Sequence, residues 1–459
     1  MARRTKSPLE SLVDSETVRN AARALLAAVR EEAPLRALTP KQYARAIRTV
    51  ERQRGRPLLF PMIAGGFGQG ARVQLADGTS KLDFIGGIGV YAFGHGDADL
   101  REHAVVAAAS DVLMQGHLLP GPEYTRLSQA LLRHAGPRLA HVWLSCSGAM
   151  ANENALKMIF QKHAPADHVV VFEGAFHGRS LAMAELTDRP GYRVGLPTHG
   201  KVLHIPFYDP EQADSTERSL AALDAHLARY PGQIATLCFE LVQGEGGFGT
   251  APREFFEALM KRCREAGVAV WVDEVQTFAR TGELFAFQTL GLAEYVDVAT
   301  VAKILQGAAT LFTRALAPKP GLVSGTFAGN TVGMAVGARI IERLESEGYL
   351  GAEGRVSVLG RRIDKRFESL AKRVPGAIAG RTGIGAMQAF LPWDGSPAAA
   401  KAVLRACFEE GLILLDTGSR PVRIRMLPPV NTTDEELEAA FTALEKALRR
   451  VAEERERPC

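Results

Sequence analysis

A chain of 459 residues, 46% hydrophobic and 23% charged, is globular and long enough for more than one core, so two domains are expected. Its 55 basic and 51 acidic residues leave a net charge of +4, too small an imbalance at this length to argue for nucleic acid despite a pI near 8.8. Five cysteines without CxxC spacing (Cys146, Cys238, Cys263, Cys407, Cys459) fit a reducing compartment and exclude the familiar zinc patterns, while the absence of a bilayer-length apolar run or an N-terminal h-region leads us to expect a cytoplasmic protein.

Arg3, Arg4 and Lys6 read as a solvated tail. Apolar residues at helical spacing predict a helix over 15–32 with Asp14 or Ser15 as its cap, and a second helix follows Pro40. Residues 54–90 alternate apolar and polar side chains around glycine-rich turns, and Asp77-Gly78 is a hairpin signal, so a small antiparallel β unit is expected. YAFGHGDADL leads into a helix capped by Asp97 or Asp99, with a change of domain near His95. From there to about Ala335, strands and helices alternate: HVWLSCSG, a helix from Ala151, HVVVFEG, KVLHIPF, a helix near Leu220, ATLCFELVQ, a helix from Arg253, VAVWVDE, DVATVAK and a short strand near Phe312. This alternation predicts an α/β fold with a mainly parallel sheet flanked by helices. A helix over 333–346 follows, then an α+β portion with strands IGAMQAFL, LILLDTG and VRIRMLP and a charged closing helix from Asp434. The expected division is 1–95, 96–335 and 336–459, the middle segment being the large domain.

The chemistry centres on VAVWVDEVQTFARTG. Residues 268–272 read as a strand buried on both faces that ends in Asp273 and Glu274. Ligands of open α/β sheets bind beyond the carboxyl ends of strands, which makes Asp273 a candidate for a cationic ligand atom. Lys303, after the apolar run of DVATVAK, would flank the same crevice; taken alone, the two residues read more simply as an ordinary strand-end ion pair. In LSCSGAMANENALKM, Ser147 and Gly148 open a helix whose free N–H groups suit a phosphate, although a plain N-cap is the simpler role for Ser147. FEGAFHGRS offers Phe176, His177 and Arg179: an aromatic for a planar ligand and a guanidinium for a carboxylate, or else core and surface residues. ELVQGEGG adds Glu240, Gln243 and Glu245, and SGTFAGN places Thr326 in a second small-residue turn before a helix. No GxGxxG lies between a strand and a helix with a suitably spaced acidic residue, which argues against a nicotinamide oxidoreductase.

Taken in order, SGAMANENALK, FHGRS, ELVQGEGG, VDEVQTFARTG, TVAK, GTFAGN and RMLPPV resemble the motifs of class III aminotransferases of the ornithine and 4-aminobutyrate type, over about residues 60–436. The resemblance implies pyridoxal 5'-phosphate as cofactor and fold type I, with a smaller α+β domain built from both chain ends. Lys303 would form the Schiff base with the cofactor and shuttle the proton, while Asp273 would pair with the pyridinium nitrogen. Val275 and Phe176 would cover the two ring faces, Gln276 would donate to the ring hydroxyl, His177 would belong to the same site, and Ser147, Gly148 and Ala149 would cradle the phosphate. Thr326 resembles the phosphate ligand that a neighbouring subunit supplies, which implies a homodimer. Arg425 would bind an α-carboxylate and Arg179 a distal one, with Glu245 pairing with Arg425 when the donor's reacting amine lies at its far end. These roles imply an ω-amino donor and 2-oxoglutarate as acceptor, with no metal. Alternatives on the same fold are aminomutation, epimerisation, decarboxylation and phosphate elimination; a regulatory cofactor-binding protein is a further one. The chain departs from the family pattern by the glycine missing from VDEVQTFARTG, the glycines replaced in KILQGAAT, Met150 in place of a glutamate, and no tyrosine at Leu58 to Phe60. None of these touches Lys303 or Asp273; they bear on substrate choice.

Overall fold

The computed structural model describes residues 10–32 and 36–456, so the basic cluster Arg3, Arg4 and Lys6, and Cys459, lie outside the described residues. β1 (Ala64–Gln69), β2 (Arg72–Leu75) and β3 (Ser80–Asp83) form the antiparallel unit expected from the alternating pattern. The β2–β3 turn is made by Gly78 at φ 83°, with Asp77 Oδ1 accepting from both the amide and the hydroxyl of Thr79.

Seven strands then build the central sheet: β4 (His141–Ser145), β5 (His168–Phe172), β6 (Lys201–Ile205), β7 (Ile234–Phe239), β8 (Ala269–Asp273), β9 (Val298–Val301) and β10 (Ala308–Phe312). Their order is β4-β10-β9-β8-β7-β5-β6, and every pairing is parallel except those of β10, which runs antiparallel to both neighbours. Side chains along each strand alternate between two cores. Val170, Phe172, Leu237, Phe239, Val270 and Val272 join one that includes Phe255 and Phe256 of the helix Arg253–Glu265. Val169, Val171, Cys238, Ala269 and Trp271 join the other, against Ala155, Leu156 and Ile159 of the helix Gly148–His163. Burial on both faces explains why these strands read as unbroken apolar runs.

The C-terminal strands are β11 (Ile378–Ile384), β12 (Met387–Pro392), β13 (Leu412–Ile413), β14 (Leu415–Thr417) and β15 (Arg423–Met426). The single strand expected at LILLDTG is divided at Leu414: β13 pairs in parallel with β3, while β14 joins the antiparallel sheet β11-β12-β15-β14. The first small sheet, β1-β2-β3-β13, is therefore assembled from both ends of the chain.

Three helix boundaries bear on the site or its neighbourhood. The helix expected from Ala151 opens at Gly148, because Ser147 caps it by accepting from Met150 N. That of 333–346 opens at Thr331, with the Asn330 side chain accepting from Gly333 N. Of the two candidate caps near residue 98, it is Asp97 that accepts from Leu100 N. Among the described residues, no helix is long and apolar enough to cross a membrane.

Candidate active site

The carboxyl ends of β5, β7, β8 and β9 and the N-terminus of the helix Gly148–His163 open on one cavity of about 440 Å³. Its wall includes Ser147, Gly148, Ala149, Phe176, His177, Glu245, Asp273, Val275, Gln276 and Lys303, ten of the residues singled out in the sequence. Arg179, Arg425 and Thr326 are not on that wall.

Asp273 ends β8 and is buried. Its Oδ1 accepts from Val275 N at 2.9 Å, and its Oδ2 accepts from Asn152 Nδ2 at 2.8 Å and lies 2.9 Å from His177 Nδ1. A carboxylate offers only acceptors, so His177 Nδ1 carries the hydrogen of that bond. The other ring nitrogen faces Cys238 Sγ at 3.6 Å, and burial pushes this thiol well above its ordinary pKa, so it stays an S–H donor. Asn152 Nδ2 also donates to the carbonyl of His177 at 2.7 Å. The acid is thus fixed from three sides, with lone-pair capacity on Oδ1 to spare.

Lys303 follows β9 in the left-handed region, at φ 53°, a conformation that costs a non-glycine residue on the order of 1 kcal/mol and that concentrates at functional sites. Its Nζ donates to Gln276 Oε1. Burial, seconded by the Arg425 charge and opposed by Glu245, Glu240 and Asp273, brings the ammonium down to about 8. A lysine so poised supplies neutral amine close to neutral pH. Glu240, buried at the end of β7, accepts from Phe176 N at 3.0 Å and Gly244 N at 2.8 Å, and burial raises it to about 7. It joins the loop that carries Phe176 to the glycine-rich loop that carries Glu245.

At the opposite wall, Ala151 N to Ser147 O is the helix's first internal bond, which leaves the amides of Gly148 and Ala149 without an intrahelical acceptor. A Cβ on Gly148 would come within 2.9 Å of a Val275 methyl, so the turn needs glycine. Gln276 Nε2 is buried without a partner. An amine, a fixed carboxylate, an orphaned amide donor, two apolar faces (Val275 and Phe176) and a helix N-terminus together fit pyridoxal phosphate.

Behind the Gly244–Gly247 turn, Arg425 is buried on β15. Its Nη2 lies 2.8 Å from Glu245 Oε1 and its Nη1 donates to Gly244 O at 2.8 Å, while Nε has no partner. Arg179 is exposed, its guanidinium 4.1 Å over the Tyr192 ring and 5.9 Å from that of Phe176. Thr326 is exposed on the segment before the helix Thr331–Ser346.

Sequence reading passed over Asn152. With the helix opening at Gly148, Asn152 lies four residues on, on the same face as Gly148; a helix opening at Ala151 hides that relation. Cys146, Val90 and Gln306, also on the wall, carry no signal in their spacing.

Residues 60–448 match the family model for class-III aminotransferases. A 2-aminoadipate transaminase from Pseudomonas putida is 32% identical over 406 residues, covering 83% of this chain and 94% of that protein. An acetylornithine aminotransferase from Thermosynechococcus vestitus is 31% identical over 398 residues, 84% of this chain and 92% of the other. Among solved structures, a lysine aminotransferase from M. tuberculosis superposes with a TM-score of 0.79 at 26% identity, over 88% of this chain and 99% of that one.

Proposed function

The chain belongs to the class III aminotransferases, pyridoxal-phosphate-dependent enzymes, and we propose that it moves an amino group from an ω-amino acid to 2-oxoglutarate, working as a cytoplasmic homodimer. The observation that carries the donor class is the Arg425–Glu245 pair. With Glu245 in place, the buried guanidinium is compensated, and a donor that presents an amine without an α-carboxylate meets no orphan cation. The pair is joined through one oxygen, with Arg425 Nε left over, so a 2-oxo acid whose carboxylate fills both Nε and Nη2 displaces it. Arg179 would take the distal carboxylate. Relatives named for acetylornithine and lysine accord with an ω-donor; the one named for 2-aminoadipate favours a donor reacting at its α-carbon.

When bound, the cofactor supplies a carbonyl carbon that takes up the amine and a conjugated ring that accepts the electron pair released at the substrate carbon. Lys303 Nζ would hold it and accept and return the substrate proton. Asp273 Oδ1 would keep a proton on the ring nitrogen, and Gln276 Nε2 would donate to the ring hydroxyl. Val275 and Phe176 would cover the ring faces, beside His177, and the amides of Gly148 and Ala149 with the Ser147 hydroxyl would face the phosphate. Thr326 would reach the phosphate of the other subunit. A dimer is supported by the apolar side chains Leu113, Leu118, Leu119 and Phe327, 55 to 97% exposed on two segments that are joined by Gln115 N to Gly329 O and Thr331 N to Leu113 O.

The test adds ω-amino acids and ordinary α-amino acids singly to the yellow holoenzyme and records which bleach its visible band. Bleaching by ω-donors is expected; bleaching by α-amino acids alone removes the ω-donor reading.

A further inference from the structure

Glu245 meets two guanidinium groups, one through its carboxylate and one through its backbone carbonyl. On one side Arg425 engages it through Nη2 alone, the neighbouring Nε being buried and unpartnered. On the other side Arg189, in the loop before the turn Pro190–Tyr192, donates Nη2 to the Glu245 carbonyl oxygen, and its Nε is likewise buried without a partner. Nε and Nη2 form the side-on fork of a guanidinium, the edge that grips a carboxylate through two parallel bonds. One tooth of the Arg189 fork therefore rests on the backbone of residue 245, and the other has no partner.

The backbone at this point is tethered. Gly418 N donates to Glu245 O at 2.9 Å, Gly247 N to Thr417 Oγ1 at 3.1 Å, and Thr382 Oγ1 to Gly247 O at 2.7 Å. What can move is the Glu245 side chain, which is 21% exposed. A carboxylate driven off Arg425 inside this loop must find another cation or bear the cost of an unpaired, largely desolvated charge.

We propose that Arg189 receives the Glu245 carboxylate when a 2-oxo acid occupies Arg425, which makes Arg189 a positioning residue for acceptor specificity; this rests on the reading of Glu245 as the displaced partner of Arg425. Two other cations are in the neighbourhood: Lys303, which feels the Glu245 charge across the cavity, and Arg423, two residues before Arg425 on the same face of β15 and with Nη1 unpartnered. The Arg423 side chain runs along Gly247, with Cδ 3.3 Å from where a Cβ would sit there.

The experiment titrates glutarate, a non-reacting dicarboxylate, into holoenzyme by calorimetry. Arg189→Gln should weaken glutarate by about tenfold, Arg189→Lys should retain most of the affinity, and in a Glu245→Gln background the Arg189→Gln loss should shrink below about twofold, since coupled residues depart from additivity. The same tenfold loss in the Glu245→Gln background shows that Arg189 acts on the ligand or the fold directly, which overturns the proposal. So does a loss that follows Arg423→Gln in place of Arg189→Gln. If glutarate binds no form of the enzyme, the 2-oxoglutarate reading itself fails and takes this inference with it, an outcome distinct from either of the others.

Discussion

A lysine held in a left-handed turn, brought down to about 8 by burial and hydrogen-bonded to Gln276, is the residue on which the proposed chemistry depends. Only the neutral amine attacks an aldehyde, so uptake of pyridoxal phosphate by the apoprotein should accelerate with pH up to about 8 and then level off, as stopped-flow absorbance would show. The same shift has a stability consequence. Because the folded value lies below the ordinary 10.5, the unfolded chain holds the extra proton between about 8 and 10.5, and apoprotein stability from this group should rise with pH across that window. Lys303→Met should flatten that rise in denaturant titrations while lowering transamination by about a thousandfold or more. At this scale the sequence was legible in bringing Lys303 of TVAK and Asp273, at the end of an apolar run, to one cavity. It was silent on Asn152 and Arg189, whose partners are set by helix register and by the path of a loop, and on the φ of Lys303, which no glycine marks.

The strand, turn and helix from β4 to Ser147 and Gly148–His163 combine an observed cap with a proposed phosphate site, two duties that substitution can separate. Ser147→Ala removes the cap and should cost about 1 kcal/mol of apoprotein stability. Ser147→Asp keeps a good cap but sets a negative charge beside the proposed phosphate site, so thermal stability of the apoprotein should hold while retention of the cofactor, followed by absorbance after gel filtration, should be lost. Full retention of the cofactor by Ser147→Asp would assign Ser147 to capping alone. Elements were readable where burial on both faces writes an unbroken apolar run, as in β5, β7 and β8. The helix start was misplaced because Gly148, Ala149 and Ala151 give no apolar periodicity, leaving only the cap to mark it. The antiparallel course of β10 follows from its short link to β9: the connection from Ala302 to Gly307 is too short for a parallel crossover, which needs a dozen residues or more.

The whole molecule ties its two ends together in one small sheet, where Leu412 and Ile413 pair with Leu82 and Asp83. No local pattern announces a partner that distant in sequence, which is why the split of LILLDTG between two sheets was not legible. The proposed dimer belongs to the same scale. Leu118→Asp with Phe327→Asp places charges in the exposed apolar patch and should move the protein in sedimentation velocity from about twice 49.5 kDa to the single-chain mass, with weaker cofactor retention because Thr326 is then withdrawn. An unchanged mass would place the interface elsewhere. The central claim, that one amine on one wall of this cavity holds the cofactor, has a direct test. Borohydride reduction of holoenzyme followed by peptide mass mapping should find the pyridoxyl adduct on Lys303; an adduct on another lysine, or none in protein saturated with pyridoxal phosphate, would contradict it.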